Sequence, residues 1–207
     1  EAARRGCRLA AISTPGSKLA EFTESVRGAQ LIGIDAQGLM PRAAMWTLLT
    51  PLLLIGNEIG VVRVTDADLL RAADIADEVG IECAMERLID VNPAKLLALQ
   101  LASSLPMIWG TGEIGSVASY RLISQLAENA KLPAIHGEIP ESQHNQVVVL
   151  DGVFAVAERD PRFRLVLLRD SVEAPQMARR AKIVTEIADR RAVPVTQVDA
   201  RGTRSEE

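Results

Sequence analysis

Aromatic side chains are scarce in this chain. They make up 3% of its 207 residues, so any core has to be built from Ala, Val, Leu and Ile. Cysteine is scarcer still: Cys7 and Cys83 stand alone, with no CxxC and no ligand-like clustering. That argues against a disulfide framework and against a metal–thiolate site, and free thiols fit a cytoplasmic protein. A large excess of one charge is also missing. With 23 Lys and Arg against 27 Asp and Glu, the formal net charge is -4, and no broad basic surface is expected for nucleic acid. The longest apolar stretch, around Leu48–Ile55, contains Thr50 and Pro51 and falls short of the roughly 20 residues a membrane span requires. The N-terminus carries no signal-peptide pattern.

What is present reads as α/β. Apolar residues reach 48%, and the length suits one large or two small domains with proper cores. The chain opens without Met on what resembles a helix end, Glu1–Arg5, and stops at Glu206–Glu207 just after a strand-like segment. We therefore expect residues of a longer protein at both ends.

Arg8–Ser13 is a short apolar run between Gly6 and Pro15, as expected of a buried parallel strand. Lys18–Val26 has a helical pattern and Gln30–Ile34 is a second strand candidate. Pro41 suits the first position of a helix, which would run from Arg42 to Asn57. Asp66 is a plausible N-cap for a helix to Val79, and Asn92-Pro93 caps another, Ala94–Ser103. Beyond this helix-rich middle the rhythm is clearer: strand Leu105–Trp109, turn Gly110–Gly112, helix Gly115–Ala130, strand Arg164–Leu168, helix Ala174–Arg191 and strand Val193–Val198. Strands alternating with helices of this length imply a parallel sheet. Gln146–Leu150 favours a strand by propensity.

Several segments have residue types suited to chemistry. Gly110, Gly112 and Gly115 match G-x-G-x-x-G between a strand and a helix, where backbone N–H groups attract anions. A dinucleotide site also needs an acidic residue about 20 positions on, closing a second strand; here that position falls in the segment Leu132–Glu141, read as a loop. A glycine turn lining a cleft is the favoured reading, with NAD binding as the alternative. Glu128, near a helix C-terminus, is set against the dipole. The segment Lys131–Asn145, read as a long loop, holds both histidines, His136 and His144, beside Glu138, Glu141, Gln143 and Asn145. Their i, i+8 spacing is not a metal-ligand pattern, so no metal is expected; a His among carboxylates and amides suits acid–base work. Arg42, at a helix start, is likewise placed against the dipole and serves a nearby anion or faces solvent.

Taken together, Gln125 to Lys131 with Pro133-Ala134, then Ile139-Pro140-Glu141, then His144-Asn145-Gln146, resembles the second sugar isomerase (SIS) domain of bifunctional phosphoglucose/phosphomannose isomerases. That family reads N-E-N-A-K-x-P-A, then L-P-E, then H-N-E, with the same separation between its Glu and His. Pro41-Arg42-Ala43-Ala44 resembles the P-R-A-A segment of the family's first domain. The resemblance implies two flavodoxin-like, three-layer α/β/α domains with parallel sheets: the remainder of a first SIS domain over residues 1–65, connecting helices over 66–104, and a second SIS domain over 105–207. It also makes Gln146–Leu150 the start of a helix.

The resemblance further implies isomerisation of glucose or mannose 6-phosphate to fructose 6-phosphate through a cis-enediol. In that scheme Glu128 moves the proton between C1 and C2, His144 assists ring opening, and Arg42 stabilises enediolate charge. Gly110, Thr111, Gly112, Asn129, Lys131 and Asn145 would contact the substrate. No metal or organic cofactor is needed. A homodimer is implied, with His144 reaching its site from the partner subunit. The chain departs from the pattern in two places: Ala127 replaces the family's Asn before Glu128, and Gln146 replaces its carboxylate after Asn145. The family's Ser/Thr-rich phosphate loop and ring-opening Lys fall outside the chain. These departures motivate an alternative, a non-catalytic sugar-phosphate-binding or regulatory protein on the same fold.

Overall fold

The computed structural model describes residues 1–152 and 163–201. The closing Glu206–Glu207 lies outside the described residues. The chain divides into two compact units, Glu1–Arg71 and Ala72–Glu207.

In the first unit, strand β1 (Ala10–Ser13) pairs in parallel with β2 (Gln30–Gly33), and helix α1 (Lys18–Ser25) connects them. The Ser17 side chain accepts from the Ala20 N–H at 3.2 Å and so caps α1. The single helix expected from Arg42 is two elements. Pro41–Ala43 forms a 3-10 turn, closed by the Ala44 N–H on the Pro41 carbonyl, and α2 begins only at Met45 and runs to Glu58. Arg42 therefore precedes α2 and does not sit in its first turn. Helix α3 (Asp66–Glu82) is capped by Thr65 and not by Asp66. Thr65 Oγ1 accepts from the Asp68 N–H at 3.2 Å, while the Asp68 carboxylate accepts from the Thr65 N–H at 2.9 Å. This reciprocal capping box satisfies two backbone donors at once.

The second unit is built on a four-stranded parallel sheet of order β4-β3-β5-β6, with β3 Leu105–Thr111, β4 Ile135–Ile139, β5 Phe163–Arg169 and β6 Val195–Asp199. The central pair, β3 and β5, is buried on both faces, which explains its nearly continuous apolar sequence. Alternation divides those side chains between two cores. Met107, Trp109, Leu165 and Leu167 pack on one face against Ala181, Val184 and Ala188 of α7 (Pro175–Arg190). Ile108, Val166 and Leu168 pack on the other against Leu101 of α4 (Pro93–Leu101) and Leu122 and Ile123 of α5 (Gly112–Gln125). The result is an α/β/α sandwich. Each fully buried Leu, Ile or Val in it contributes about 1.5–3 kcal/mol. Asn92 caps α4 as the sequence implied, accepting from the Lys95 N–H at 3.0 Å; it is buried, and its amide also donates to the Ala84 carbonyl at 2.9 Å.

Two local expectations are corrected. The segment Lys131–Asn145 is no loop: it contains β4 and a short helix α6 (Glu141–Asn145). Gln146–Leu150 is no strand; Val147–Asp151 is a 3-10 helix. Leu150 is driven into the Trp109 core, and helical spacing achieves that without extending the sheet.

Candidate active site

The glycine turn has a structural cause. A β-carbon on Gly110 would lie 2.0 Å from the Gly115 carbonyl oxygen, and one on Gly115 would lie 2.8 Å from the Leu168 carbonyl oxygen. The first turn of α5 thus lies directly on β3 and β5. Gly112 has φ +65°, a conformation glycine adopts without steric penalty. Gly110 and Thr111 still belong to β3, and α5 starts at Gly112. Thr111 is fully buried. Its hydroxyl donates to Glu173 and accepts from the Asp170 N–H at 3.3 Å. Glu173 in turn takes two hydrogen bonds from Arg169, and its side chain is 6% exposed. The Arg169 guanidinium, and after it the Thr111 hydroxyl, hold the Glu173 carboxyl below its ordinary pKa against the opposing effect of burial.

Glu128 sits at the far end of α5. A helix of this length spans roughly 20 Å, so Glu128, Asn129 and Lys131 are separated by the length of α5 from Gly110, Thr111 and Gly112. The sequence implied a regular helix to Ala130. The structure instead widens Leu126–Ala130 into a π-helical turn, a form often found at functional positions. Glu128 and Asn129 are exposed on it. Lys131 closes the turn in the left-handed region, φ 58°, and its Nζ donates to the Glu128 carbonyl at 2.5 Å. The Asn129 amide donates to Gln125 Oε1 at 2.5 Å. One turn therefore presents Glu128, Asn129 and Lys131 together.

His144 and Asn145 are presented by α6, where both are exposed. Asn145 Nδ2 donates to Glu141 Oε1 at 2.6 Å. This helix turns back along β4: the Ser142 hydroxyl accepts from the Glu138 N–H at 2.9 Å and Gln146 Nε2 donates to the His136 carbonyl at 2.9 Å. His144 is thus held beside the strand and not beyond its end. Gln146 also accepts from the Trp109 indole N–H at 3.0 Å. The structural role of Gln146 was not legible in the sequence, because its two partners come from different strands.

His136, the other loop candidate, lies within β4. Its ring meets Tyr120 edge-on with centroids 5.6 Å apart, and its buried Nε2 has no hydrogen-bond partner among the described residues. Glu138 is exposed and accepts from Ser116 Oγ at 2.6 Å. Arg42 is exposed on the 3-10 turn of the first unit, whereas the Glu128 and His144 groups belong to the second. Among the described residues, no group of three His, Cys, Asp or Glu is arranged to hold a metal ion. An apolar groove of about 750 Å³ between α3, α4 and β6, lined by Ile75, Val79, Leu97 and Val198, contains none of the predicted site residues.

Residues 90–207 match the family model of the bacterial phospho-glucose isomerase C-terminal SIS domain. The chain belongs to this family. It is 30% identical over 187 residues to the bifunctional phosphoglucose/phosphomannose isomerase of Caldicellulosiruptor bescii, an alignment that covers 90% of this chain and 53% of the relative. A solved structure from Clostridium difficile 630, of a protein assigned by inference to the phosphosugar isomerases, superposes with TM-score 0.57 at 18% identity, covering 99% of this chain and 54% of that one. At that identity the likeness establishes the shared fold. The chain spans about half the length of both proteins. The two exposed clusters, on the π turn and on α6, lie in the segments through which the sequence resembles the isomerases. No helix among the described residues is long and apolar enough to cross a membrane.

Proposed function

We propose that this protein is an aldose–ketose isomerase of hexose 6-phosphates, interconverting glucose or mannose 6-phosphate with fructose 6-phosphate. The observation that carries the reading is the pair of exposed carboxylate and imidazole groups, Glu128 on a π turn and His144 on an anchored helix, in a chain related to a phosphoglucose/phosphomannose isomerase. His144 assists opening of the sugar ring. The Glu128 carboxylate then removes the proton from C2 of the open-chain aldose, and the C–H electron pair forms the C1=C2 bond as negative charge moves onto O1. The resemblance assigns the stabilising of that charge to Arg42. A proton passes from O2 to O1, and Glu128 returns its proton to C1, giving the ketose with no net gain or loss of atoms. The chemistry uses a carboxylate base, an imidazole and a permanent cation. Asn129, Lys131 and Asn145 flank the two groups and are suited to hold sugar hydroxyls; Gly110–Gly112 line the opposite end of α5. The working form is a homodimer in which His144 serves the partner's site. The free thiols of Cys7 and Cys83 support a reducing, cytoplasmic location.

A second reading is a sugar-phosphate-binding or regulatory protein without turnover, which Ala127 in place of the family's Asn favours. A coupled assay of the full-length protein distinguishes the two. With fructose 6-phosphate as substrate, glucose 6-phosphate and mannose 6-phosphate are read separately. Turnover that disappears in Glu128→Gln while sugar-phosphate binding persists establishes the isomerase. Binding without turnover in the unmodified protein establishes the second reading.

A further inference from the structure

The short helix α6 cannot hold its own position. Five residues form barely more than one turn, and an isolated helix of that length has no stability in water. Its placement depends on side chains that reach inward. Ser142, buried at 1% exposure, accepts from the Glu138 N–H, and Gln146 donates to the His136 carbonyl. Glu138 and His136 are alternate residues of β4, an edge strand that pairs with β3 alone among the described strands. Ser142 and Gln146 therefore stand in for a missing neighbouring strand, satisfying backbone groups that an open edge leaves unpaired. A third tie runs from Arg180 of α7 to Gln143 Oε1 at 3.1 Å.

Gln146 has the most demanding position of these. Its oxygen accepts from the Trp109 indole and its nitrogen donates to a carbonyl, so it needs one acceptor and one donor at adjacent atoms. An amide has both; an ionised carboxylate has only acceptors and would set negative oxygen against the His136 carbonyl. The replacement of the family-type carboxylate by Gln146 thus fits this pocket chemically. The contact is tight: a β-carbon on Gly137, between the two bonded groups of β4, would lie 2.2 Å from Ser142 Oγ and 2.5 Å from Trp109 Cδ1.

We infer that Gln146 is a positioning residue: by locking α6 to β4 and Trp109, it fixes the point from which His144 projects. The effect on turnover rests on the isomerase reading above; the effect on α6 does not.

The test uses the full chain with Gln146→Met, which keeps the length and apolar bulk of the side chain but has neither arm of the amide. Hydrogen exchange at the Glu138 and Gln146 amides, both bonded through α6, is expected to accelerate by about tenfold or more, with β5 unchanged. Turnover is expected to fall on the order of tenfold with KM little altered. In a His144→Ala background the same substitution causes no further loss, because both changes act through one imidazole. Gln146→Glu, which keeps size and acceptor and removes the donor, moves both readouts in the same direction and serves if the Met variant does not fold. Unchanged exchange at Glu138 and Gln146 overturns the inference. So does a loss of turnover that adds in full to that of His144→Ala. If His144→Ala turns over as well as the unmodified protein, the isomerase reading fails, and the exchange result alone then decides whether Gln146 positions α6.

Discussion

The backbones of Gly110 and Gly115 touch, leaving no room for a side chain: a β-carbon on Gly110 would sit 2.0 Å from one Gly115 atom and 2.4 Å from the Ser116 nitrogen. The obstacle is backbone, which cannot swing aside. Gly110→Ala is therefore expected to force α5 off β3 and to cost about 3 kcal/mol or more. Chemical denaturation of the variant against the unmodified chain measures this; a loss under about 1 kcal/mol would contradict the packing described.

Gly80 is the opposite case. It lies within α3, has no positive φ, and a β-carbon there would meet nothing within 4 Å. Gly80→Ala is expected to stabilise the protein by roughly 0.5–1 kcal/mol, because alanine loses less backbone freedom on entering a helix. Thermal unfolding of the single variant, and of the pair with Gly110→Ala, checks both the sign and the additivity.

Glu173 gives the fold a predictable acid sensitivity. Its carboxyl is held below the ordinary glutamate value, first by the Arg169 guanidinium and then by the Thr111 hydroxyl. A depressed pKa means that the stabilisation is fully present above the unfolded-state value of about 4.3 and is lost as pH falls through the lower folded-state value. Glu173→Gln leaves Arg169 without its ion-pair partner and weakens the Thr111 link, at a cost of about 2–3 kcal/mol near neutral pH. The difference in stability between the two proteins should shrink as pH drops below about 4.3. A gap that stays constant to low pH would remove the ion pair from this account.

Lys131 holds a left-handed conformation, φ 58°, at the end of the π turn. Non-glycine residues adopt that region at a cost of about 1 kcal/mol. Lys131→Gly relieves the strain but removes the Nζ bond to the Glu128 carbonyl, so stability is expected to change by less than about 1 kcal/mol. Lys131→Val, which is β-branched, should lose more than the Gly variant. If Lys131 also supports Glu128, turnover falls in both variants although only one is destabilised.

The sequence was most legible where burial was most complete. β3 and β5 read as strands because both faces are covered and nearly every position is apolar, and α7 falls within the helix that the strand–helix rhythm implied over Ala174–Arg191. β4 was missed for a physical reason. Its residues Ile135, His136, Gly137, Glu138 and Ile139 alternate inward and outward, but Pro133 and Pro140 bound it and Gly137 interrupts it, all signs of a loop. It is an edge strand among the described residues, and part of its backbone pairing comes from the side chains of Ser142 and Gln146, which no periodicity in the strand itself announces. The α3 cap was misplaced by one residue because Asp66 and Thr65 are both acceptable caps, and only the reciprocal bond with Asp68 distinguishes them.

For the candidate site, sequence alone carried the residue types and their order: Glu128-Asn129-Ala130-Lys131 before Pro133, and His144-Asn145 after Pro140, enough to place the chain with the sugar isomerases. It also determined the parallel α/β character, since buried strands and amphipathic helices follow from short-range spacing. Tertiary structure decided what those residues do locally. It turned a matching glycine pattern into a backbone contact, drew Thr111 into a buried link with Glu173, widened the helix end beneath Glu128, and gave Gln146 partners on two strands. The Thr111–Glu173 and Gln146–Trp109 links depend on atoms far apart in sequence coming within hydrogen-bonding distance, a relationship that local spacing does not encode.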